Sequence, residues 1–358
     1  MRVVFLSFLK DFGGAQRQNV LLAKELALKG HEVTILSLSV DNNLYDLGDD
    51  IRYEFIPDRK IGLLSIITRY TDIKKRLKEL HPDLTVSFWY QPIYLCAMMS
   101  KKITGKLVYS ERTDPGDSKY HGWLGTVRKI TLPRIDGFVF QSKGAQQYFP
   151  LSVRKKSTII SNPVFIKEGD YPDVPKRRKA IVTVGRLHPQ KNHKLLIEAF
   201  SKIASQFPDY VLEIYGDGEL KAELQKQIVR LGLNDRVLLK GTSKKVFDLI
   251  YDSELFILSS DYEGVPNTLL EALALGIPCI STDCKPGGAR ELIEDGLNGI
   301  IVPLNDKEGL VTAMVKLLSD KPLAKKFSSK KNDTIRKHNP ERIYNEWEKY
   351  FLKIIDKG

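Results

Sequence analysis

Cysteine and histidine are scarce in this sequence. The 358 residues include three cysteines, Cys96, Cys279 and Cys284. This odd number, without the spacing of paired ligands, argues against a disulfide framework, and we expect reduced, buried thiols. His188 and His193 lie five positions apart but have no third ligand nearby. We therefore expect no metal site.

Long apolar runs are also missing. No apolar run reaches the roughly eighteen residues that a membrane-spanning helix needs. The N-terminus reaches Lys10 and Asp11 too early to form the apolar core of a secretory signal. The expected location is the cytoplasm. Apolar residues at 42% and charged residues at 28% are typical of a soluble globular chain and exclude disorder over most of the length.

Acidic residues are outnumbered by basic ones. The net charge is +12, and the basic excess is densest in RKIGLLSIITRYTDIKKRLKEL, residues 59–80. Such a surplus favours an anionic partner: nucleic acid, a phosphate-bearing small molecule or the anionic cytoplasmic leaflet of a membrane. A basic nucleic-acid-binding protein would interleave aromatic and basic residues in a recognisable module. No such module is visible, so nucleic acid is not the expected partner.

Strand-like apolar runs alternate with helical segments along the whole chain. The first forty residues read as strand (RVVFLSF), glycine turn, helix and strand (HEVTILSL). This alternation predicts an α/β protein with parallel sheets covered by helices. Residues 162–179 shift to Pro, Asp and Lys without periodicity, as an interdomain linker does, and the alternation then restarts. We predict domains at 1–165 and 166–339, followed by an amphipathic helix at 340–358.

The loop GRLHPQKN, residues 185–192, follows the first strand of the second domain. It carries Arg186 and Lys191, a planar fork and a point charge that together suit a diphosphate. A solvated basic loop is the alternative interpretation. Gly216, in YGDGEL, ends another strand of the same domain, where a plain strand-to-helix turn explains the glycine equally well.

Two acids occur in the apolar stretch DYEGVPNTLLEALALGIPCIS, residues 261–281. Pro266 suits the first position of a helix and Gly276 suits its end, which predicts a helix from about 266 to 275. Glu263 then precedes the helix, whose first N–H groups form an anion site, and Glu271 lies in the second turn. Each carboxylate can accept hydrogen bonds from sugar hydroxyls of a nucleotide-sugar. Alternatively, Glu263 is an exposed turn residue and Glu271 extends to solvent.

Taken together, these motifs resemble those of a known family. Arg186, Lys191, the Glu-x7-Glu pair and FGGAQR after the first strand resemble the retaining glycosyltransferases of family 4 over nearly the whole chain. The resemblance implies the GT-B fold, two facing Rossmann-like domains with parallel sheets and an interdomain cleft. It also implies a UDP-linked sugar donor, no metal and no other cofactor. The acceptor would be a glycan or an undecaprenyl-diphosphate-linked glycan in bacterial polysaccharide biosynthesis.

The resemblance also assigns roles to residues. Arg186 and Lys191 would hold the donor diphosphate, Glu271 the ribose and Glu263 the transferred hexose or N-acetylhexosamine. Further donor contacts would come from Gly14, Gly216, Thr242 in KGTSK near the base, Val265, Pro266 and Asn267. The helix at 340–358 would cross back to the N-terminal, acceptor-binding domain. The acceptor hydroxyl would attack from the face that the diphosphate leaves, with a phosphate oxygen taking the proton.

One position departs from the family pattern. Many members carry a histidine after a strand of the N-terminal domain, near the transferred sugar, whereas this chain has Glu111 and Arg112 there. Either Arg112 replaces that histidine as a donor to sugar or phosphate, or Arg112 and Asp114 form a structural pair.

The basic stretch 59–80 has two interpretations. Apolar residues at helical spacing lie opposite Lys74, Lys75, Arg76 and Lys78, as in an ordinary amphipathic core helix with a solvated face. The other interpretation is peripheral attachment to the anionic inner face of the cell membrane, with residues 121–134 sharing that surface. Rivals to the transferase are a GT-B nucleotide-sugar epimerase, a non-catalytic basic binding protein and a silent partner subunit.

Overall fold

A computed structural model describes residues 1–9, 13–39, 45–57, 63–116 and 122–356 of the chain. The chain divides into two units, one formed by Met1–Asn162 with Glu341–Gly358 and the other by Pro163–Pro340. The sequence predicts this boundary slightly later, after residue 165. Each unit is a parallel sheet with helices packed on it, so the predicted α/β class is confirmed.

Continuous apolar runs form the strands of the first unit. These are β1 Arg2–Ser7, β2 Glu32–Ser37, β3 Ile51–Phe55, β4 Leu84–Ser87, β5 Lys106–Ser110, β6 Gly137–Phe140 and β7 Ser157–Ile159. They form a seven-stranded sheet in the order β3-β2-β1-β4-β5-β6-β7, with every pair parallel. Nearly all side chains of β1 and β2 are buried because both faces of a parallel sheet are covered.

Helices cover both faces of this sheet. They are α1 Gly14–Leu28, α2 Leu63–Leu80, α3 Tyr90–Ala97, α4 Lys101–Thr104, α5 Trp123–Thr131, α6 Lys143–Gln147 and α7 Leu151–Arg154. Successive residues of β1 point to opposite faces. Phe5 packs with α1 in one apolar cluster, and Leu6 packs with α2 and α3 in another. On that second face α3 contacts both α2 and α5.

The second unit repeats the arrangement. Its strands are β8 Arg178–Val184, β9 Val211–Tyr215, β10 Val237–Gly241, β11 Ser253–Leu258, β12 Cys279–Thr282 and β13 Ile300–Val302. They form a six-stranded parallel sheet in the order β10-β9-β8-β11-β12-β13. Cys279 and Cys284, like Cys96 in the first unit, are buried free thiols, which confirms that prediction.

The helices of the second unit include the one predicted after Glu263. They are α8 His193–Ile203, α9 Lys221–Arg230, α10 Val246–Ile250, α11 Asn267–Ala274, α12 Lys307–Ser319, α13 Lys321–Ser328 and α14 Lys331–Lys337. The helix predicted from about 266 to 275 is confirmed as α11, with Pro266 just before its first residue. Pro266 is the N-cap, with ψ of 110°, because the N-cap residue takes an extended conformation and helical dihedrals begin only after it.

The last helix, α15 Pro340–Ile355, packs on the sheet of the first unit. Trp347 stacks on Phe88 with ring centres 5.7 Å apart. The Tyr350 hydroxyl accepts a hydrogen bond from the Phe138 N–H at 2.8 Å and donates to the Lys156 carbonyl at 2.7 Å. These contacts fix the helix against strands and loops that lie about two hundred residues earlier in the chain.

Helix α2 packs along only part of its length. Ile73 and Leu77 are buried, whereas Leu64, Ile66 and Ile67 in the first turns are exposed. Of the predicted apolar positions, Ile61 lies outside the described residues. In the part of the chain that the structure describes, no helix is both long and apolar enough to cross a bilayer.

Candidate functional site

The candidate site lies at the carboxyl edge of the second sheet, between β8 and β11. Strands β9 and β10 lie on one side of β8, and β11, β12 and β13 lie on the other. The connections therefore leave these two central strands in opposite directions, which opens a crevice where ligands of parallel sheets bind. The loop after β8 carries Arg186 and Lys191, and the loop after β11 carries Glu263.

Lys191 and Glu263 meet across this crevice. The Lys191 Nζ forms an ion pair with Glu263 Oε1, and their side chains are 14% and 12% exposed. The Ser260 hydroxyl donates to the same Oε1 at 2.9 Å. The alternative interpretations, a solvated lysine and an exposed turn glutamate, therefore do not describe these two paired and mostly buried side chains. An ammonium group has three N–H donors, so Lys191 keeps donors for a second anion while it holds the carboxylate.

Backbone hydrogen bonds join the loops that carry the pair. Asp261 N–H donates to Gln190 O at 2.9 Å, and Glu263 N–H donates to Lys285 O, in the loop after β12, at 2.7 Å. A Cβ on Gly288 would lie 1.3 Å from Gly264 O. Only glycine permits that approach, so the Glu263 loop rests directly on the loop after β12.

Arg186 differs from Lys191. Its side chain is exposed, and no residue that the structure describes forms a hydrogen bond or ion pair with its guanidinium. The two cations of the loop thus differ in environment: Lys191 is paired with a carboxylate, and Arg186 faces solvent.

His193, at the start of α8, supports the backbone of Arg186. It is buried, and burial lowers the pKa of its imidazole to about 4, with the Lys191 charge acting in the same direction. The ring is neutral at pH 7, so its Nε2 donates to Arg186 O at 3.2 Å because a carbonyl only accepts. From the sequence alone, His193 is notable only for its spacing from His188, and its support of Arg186 is not predicted. The sequence signal for this role is the position of His193 directly after the basic loop, at the start of a helix.

Helix α11 directs its N-terminus to the same edge. Val265 and Pro266 are buried. The N-cap Pro266 provides no side-chain cap, and the first N–H groups of a helix have no intrahelical acceptor. Asn267 begins the helix. Glu271, half-buried, lies in the second turn as predicted, one turn beyond the predicted anion site.

The loops after β9 and β10 continue this edge of the sheet. Gly216 N–H donates to Gly241 O at 2.8 Å. Gly216 has φ of 146°, and a Cβ there would lie 1.9 Å from Gly185 O, so the backbone requires glycine at this close approach to the Arg186 loop. Thr242 is exposed just beyond the end of β10, two strands away from the Arg186 loop.

Two predicted residues belong to the first unit. Gly14 is the first residue of α1, after Gly13 as an N-cap that contributes no side chain. Arg112 follows β5; its Nη1 donates to Asn162 Oδ1 at 2.9 Å, and its guanidinium stacks on Phe88. Burial lowers the pKa of Arg112 to about 9.

Of the two interpretations of Arg112, the structural pair with Asp114 is not formed. The Asp114 carboxylate instead accepts from the Gly116 N–H at 2.9 Å, because a short aspartate side chain readily closes a local turn. No carboxylate among the described residues pairs with Arg112.

Both halves of the chain match models of glycosyltransferase families. Residues 12–167 match the model of the Glycosyltransferase Family 4 family, and residues 170–334 match that of Glycosyl transferases group 1. An N-acetylgalactosamine-N,N'-diacetylbacillosaminyl-diphospho-undecaprenol 4-alpha-N-acetylgalactosaminyltransferase from Campylobacter jejuni is 30% identical over 89% of this chain and 93% of its own length. An exopolysaccharide phosphotransferase from Streptomyces coelicolor is 32% identical over 67% of this chain, but the match spans only 26% of that protein.

The fold is shared with solved structures. The crystal structure of Anabaena HepE in complex with UDP superposes with a TM-score of 0.83 at 19% identity, covering 99% of this chain and 100% of the other. The predicted GT-B class is confirmed by this likeness and by the two parallel sheets.

Proposed function

Because the chain belongs to glycosyltransferase family 4, we propose that it is a retaining transferase. It moves a hexose or N-acetylhexosamine from a UDP-sugar to a glycan or lipid-linked acceptor in polysaccharide biosynthesis, in the cytoplasm. The observation that carries this proposal is the ion pair between Lys191 and Glu263 at the switch point of the second sheet. It joins a phosphate-binding cation to a hydroxyl-binding carboxylate in one crevice.

The donor diphosphate would bind to the loop after β8. Lys191 has donors left after pairing with Glu263, and the exposed Arg186 offers a planar fork. The N-terminus of α11 adds backbone N–H groups. Together these groups stabilise the charge that develops on the departing diphosphate, and the proposed reaction is therefore independent of metal and of any cofactor.

Hydroxyl groups would be held on either side of the diphosphate. Glu263 accepts from the transferred sugar and Glu271 from the ribose, with the backbone of residues 265–267 between them. Gly216 allows the loop after β9 to lie close to the loop after β8, which would bind the diphosphate. The base would then rest near Thr242, and Gly14 would permit close approach of the N-terminal loop.

Retention would follow from attack on the face that the diphosphate leaves. The acceptor oxygen forms the new bond to the anomeric carbon while the bond to the diphosphate oxygen breaks. The acceptor proton goes to a phosphate oxygen of the leaving UDP. No carboxylate nucleophile is required, so Glu263 is assigned to binding the sugar and not to covalent catalysis.

Arg112 would meet a ligand anion or sugar oxygen from the first unit. Withdrawing part of a cation from water without an acidic partner is costly, and the lowered pKa of the half-buried Arg112 reflects that cost. Its aromatic platform and the bond to Asn162 hold the guanidinium in one orientation. A phosphate or sugar oxygen would supply the missing partner.

A lipid-linked acceptor would be met at the membrane by the first unit. The Campylobacter relative acts, by its name, on an undecaprenol diphosphate. Helices α2 and α5 both begin at the carboxyl edge of the first sheet, on the same face, and there expose Leu64, Ile66, Ile67 and Trp123. Exposed tryptophan and aliphatic side chains favour the lipid interface. We therefore assign the membrane contact to these apolar residues, with Lys75 and Lys78 in support.

The test is turnover with a panel of UDP-sugars and a lipid-linked glycan acceptor. We expect free UDP together with a glycan lengthened by one sugar, the new linkage keeping the donor's anomeric configuration by NMR. Glu263→Gln should abolish most of this turnover, and Leu28→Ser, at an exposed position on α1, should not affect it. Conversion of the UDP-sugar to its epimer without glycan growth would contradict the proposal and favour an epimerase.

A further inference from the structure

Ser260 stands at the centre of the Lys191–Glu263 contact, although no motif marks it. It is fully buried and lies two residues beyond the end of β11. Its hydroxyl donates to Glu263 Oε1 at 2.9 Å, the same oxygen that Lys191 binds. The two oxygens of the Glu263 carboxylate therefore have different environments.

The other oxygen, Oε2, has no such partner. No hydrogen bond or ion pair to it is formed by the residues that the structure describes. A carboxylate oxygen accepts about two hydrogen bonds, so Oε1 is saturated by Lys191 and Ser260, whereas Oε2 keeps its full capacity. The free oxygen is the one that can accept from a ligand hydroxyl.

The backbone of Ser260 is itself fixed. The Thr282 hydroxyl, at the end of β12, donates to Ser260 O at 2.6 Å. The neighbouring Ser259 hydroxyl donates to Lys191 O at 2.8 Å. Ser260 is thus held between β11 and β12, and its hydroxyl transfers that rigidity to the glutamate. A site held by second contacts of this kind keeps its geometry before the ligand arrives.

We propose that Ser260 is a positioning residue for sugar recognition: it locks one oxygen of Glu263 so that the other faces the donor sugar. This inference rests on the proposed role of Glu263. It predicts that Ser260 affects binding of the sugar but not of the nucleotide, because UDP alone offers nothing to Glu263.

The experiment separates these two affinities. Ser260→Ala is expected to lower kcat/KM for the UDP-sugar about tenfold, since a charge-assisted hydrogen bond is lost, while the Kd for UDP changes by less than about twofold. Ser281→Ala removes an equally buried hydroxyl on β12 that donates only to the Thr282 carbonyl. That control should leave both quantities unchanged.

A double-mutant cycle tests whether Ser260 acts through Glu263. In a Glu263→Gln background, Ser260→Ala should add less than about twofold to the loss, because coupled residues are not additive. The inference would be overturned if the losses in kcat/KM of the two single variants multiplied in the double variant. It would also be overturned if Ser260→Ala weakened the binding of UDP and of UDP-sugar equally. Should Ser260→Ala fold poorly, Ser260→Cys, which keeps the volume and a weak donor, must give an intermediate loss of kcat/KM.

The cycle also separates this inference from the proposed function. If Glu263→Gln alone leaves kcat/KM unchanged, the role of Glu263 fails. If Glu263→Gln is impaired and Ser260→Ala is not, only the positioning role fails.

Discussion

The guanidinium carbon of Arg112 lies 4.1 Å from the centre of the Phe88 ring. The Trp347 ring of α15, which stacks on Phe88, lies 5.4 Å from the same carbon. Arg112, which follows β5, is thus packed against a residue of α15. One role for this contact is purely structural: it holds α15 in place. A second role is to present the cation to a ligand as well. Substitution of Arg112 distinguishes the two roles.

Replacing Arg112 with methionine separates structure from chemistry. Methionine keeps the apolar contact with Phe88 but removes the charge. We expect the free energy of unfolding to change by no more than about 1 kcal/mol, since apolar replacements of buried charges are often neutral. The kcat/KM should fall about 100-fold through loss of electrostatic stabilisation. Normal turnover in a stable Arg112→Met protein would restrict Arg112 to holding the helix.

His193 should make the stability of the protein depend on pH. Its pKa is lowered from 6.5 to about 4, so between these values the unfolded state binds more protons and stability falls as the pH falls. His193→Gln removes this titration and keeps a donor for Arg186 O. Urea unfolding at pH 7 and pH 4 should show a loss larger in the parent protein by about 2 to 3 kcal/mol. Equal losses in both proteins would contradict a neutral, buried His193.

The sequence predicted the fold well because the signals are local. Buried parallel strands require continuous apolar runs, and such a run is visible within a short stretch of sequence. The pairing of Lys191 with Glu263 joins residues 72 positions apart, and no local periodicity encodes it. Ser260 escaped notice for the same reason, since an isolated serine at the end of a strand has many ordinary uses. Of the two interpretations of Arg112, the pair with Asp114 fails because the Asp114 carboxylate closes its own turn.

Glu271→Gln should weaken the binding of UDP. An amide accepts hydrogen bonds from the ribose hydroxyls less strongly than a carboxylate, and the loss is expected to be about 1 to 3 kcal/mol. Isothermal calorimetry with UDP measures this directly. Circular dichroism should confirm that α11 is intact in the variant. Unchanged affinity in a folded protein would remove Glu271 from the nucleotide site.

Turnover should survive chelation of divalent metals. The charge of the departing diphosphate is assigned to Arg186, Lys191 and the N-terminus of α11. With EDTA in excess, the rate should remain within about twofold of the untreated enzyme. Lys191→Ala should instead lose nearly all activity with or without EDTA. If EDTA abolishes turnover and Mg²⁺ or Mn²⁺ restores it, the assignment of the charge to these residues is wrong.

The last prediction concerns which part of α2 meets the membrane. The basic face predicted from the sequence is only partly free. Arg76 is paired with Glu54 and Glu79, and Lys74 lies over the Tyr70 ring. The apolar residues near the start of the helix are more accessible, as is Trp123 on α5, which is 71% exposed. We therefore expect insertion of apolar side chains to contribute more than charge.

A triple variant, Leu64→Ser, Ile67→Ser and Trp123→Ser, should release the protein from vesicles that contain anionic lipid. The affinity should fall at least about tenfold, since each buried apolar side chain contributes roughly 1.5 to 3 kcal/mol when fully withdrawn from water. Turnover on a lipid-linked acceptor should fall in parallel, while the Kd for UDP, whose binding we assign to the second unit, should not change. Lys75→Gln with Lys78→Gln should have a smaller effect that disappears at high salt. The matched control is Leu28→Ser on α1, which is 76% exposed but lies on the opposite face of the sheet, and it should bind vesicles normally. If the triple variant binds vesicles as well as this control does, the apolar residues of α2 and α5 are not the membrane contact.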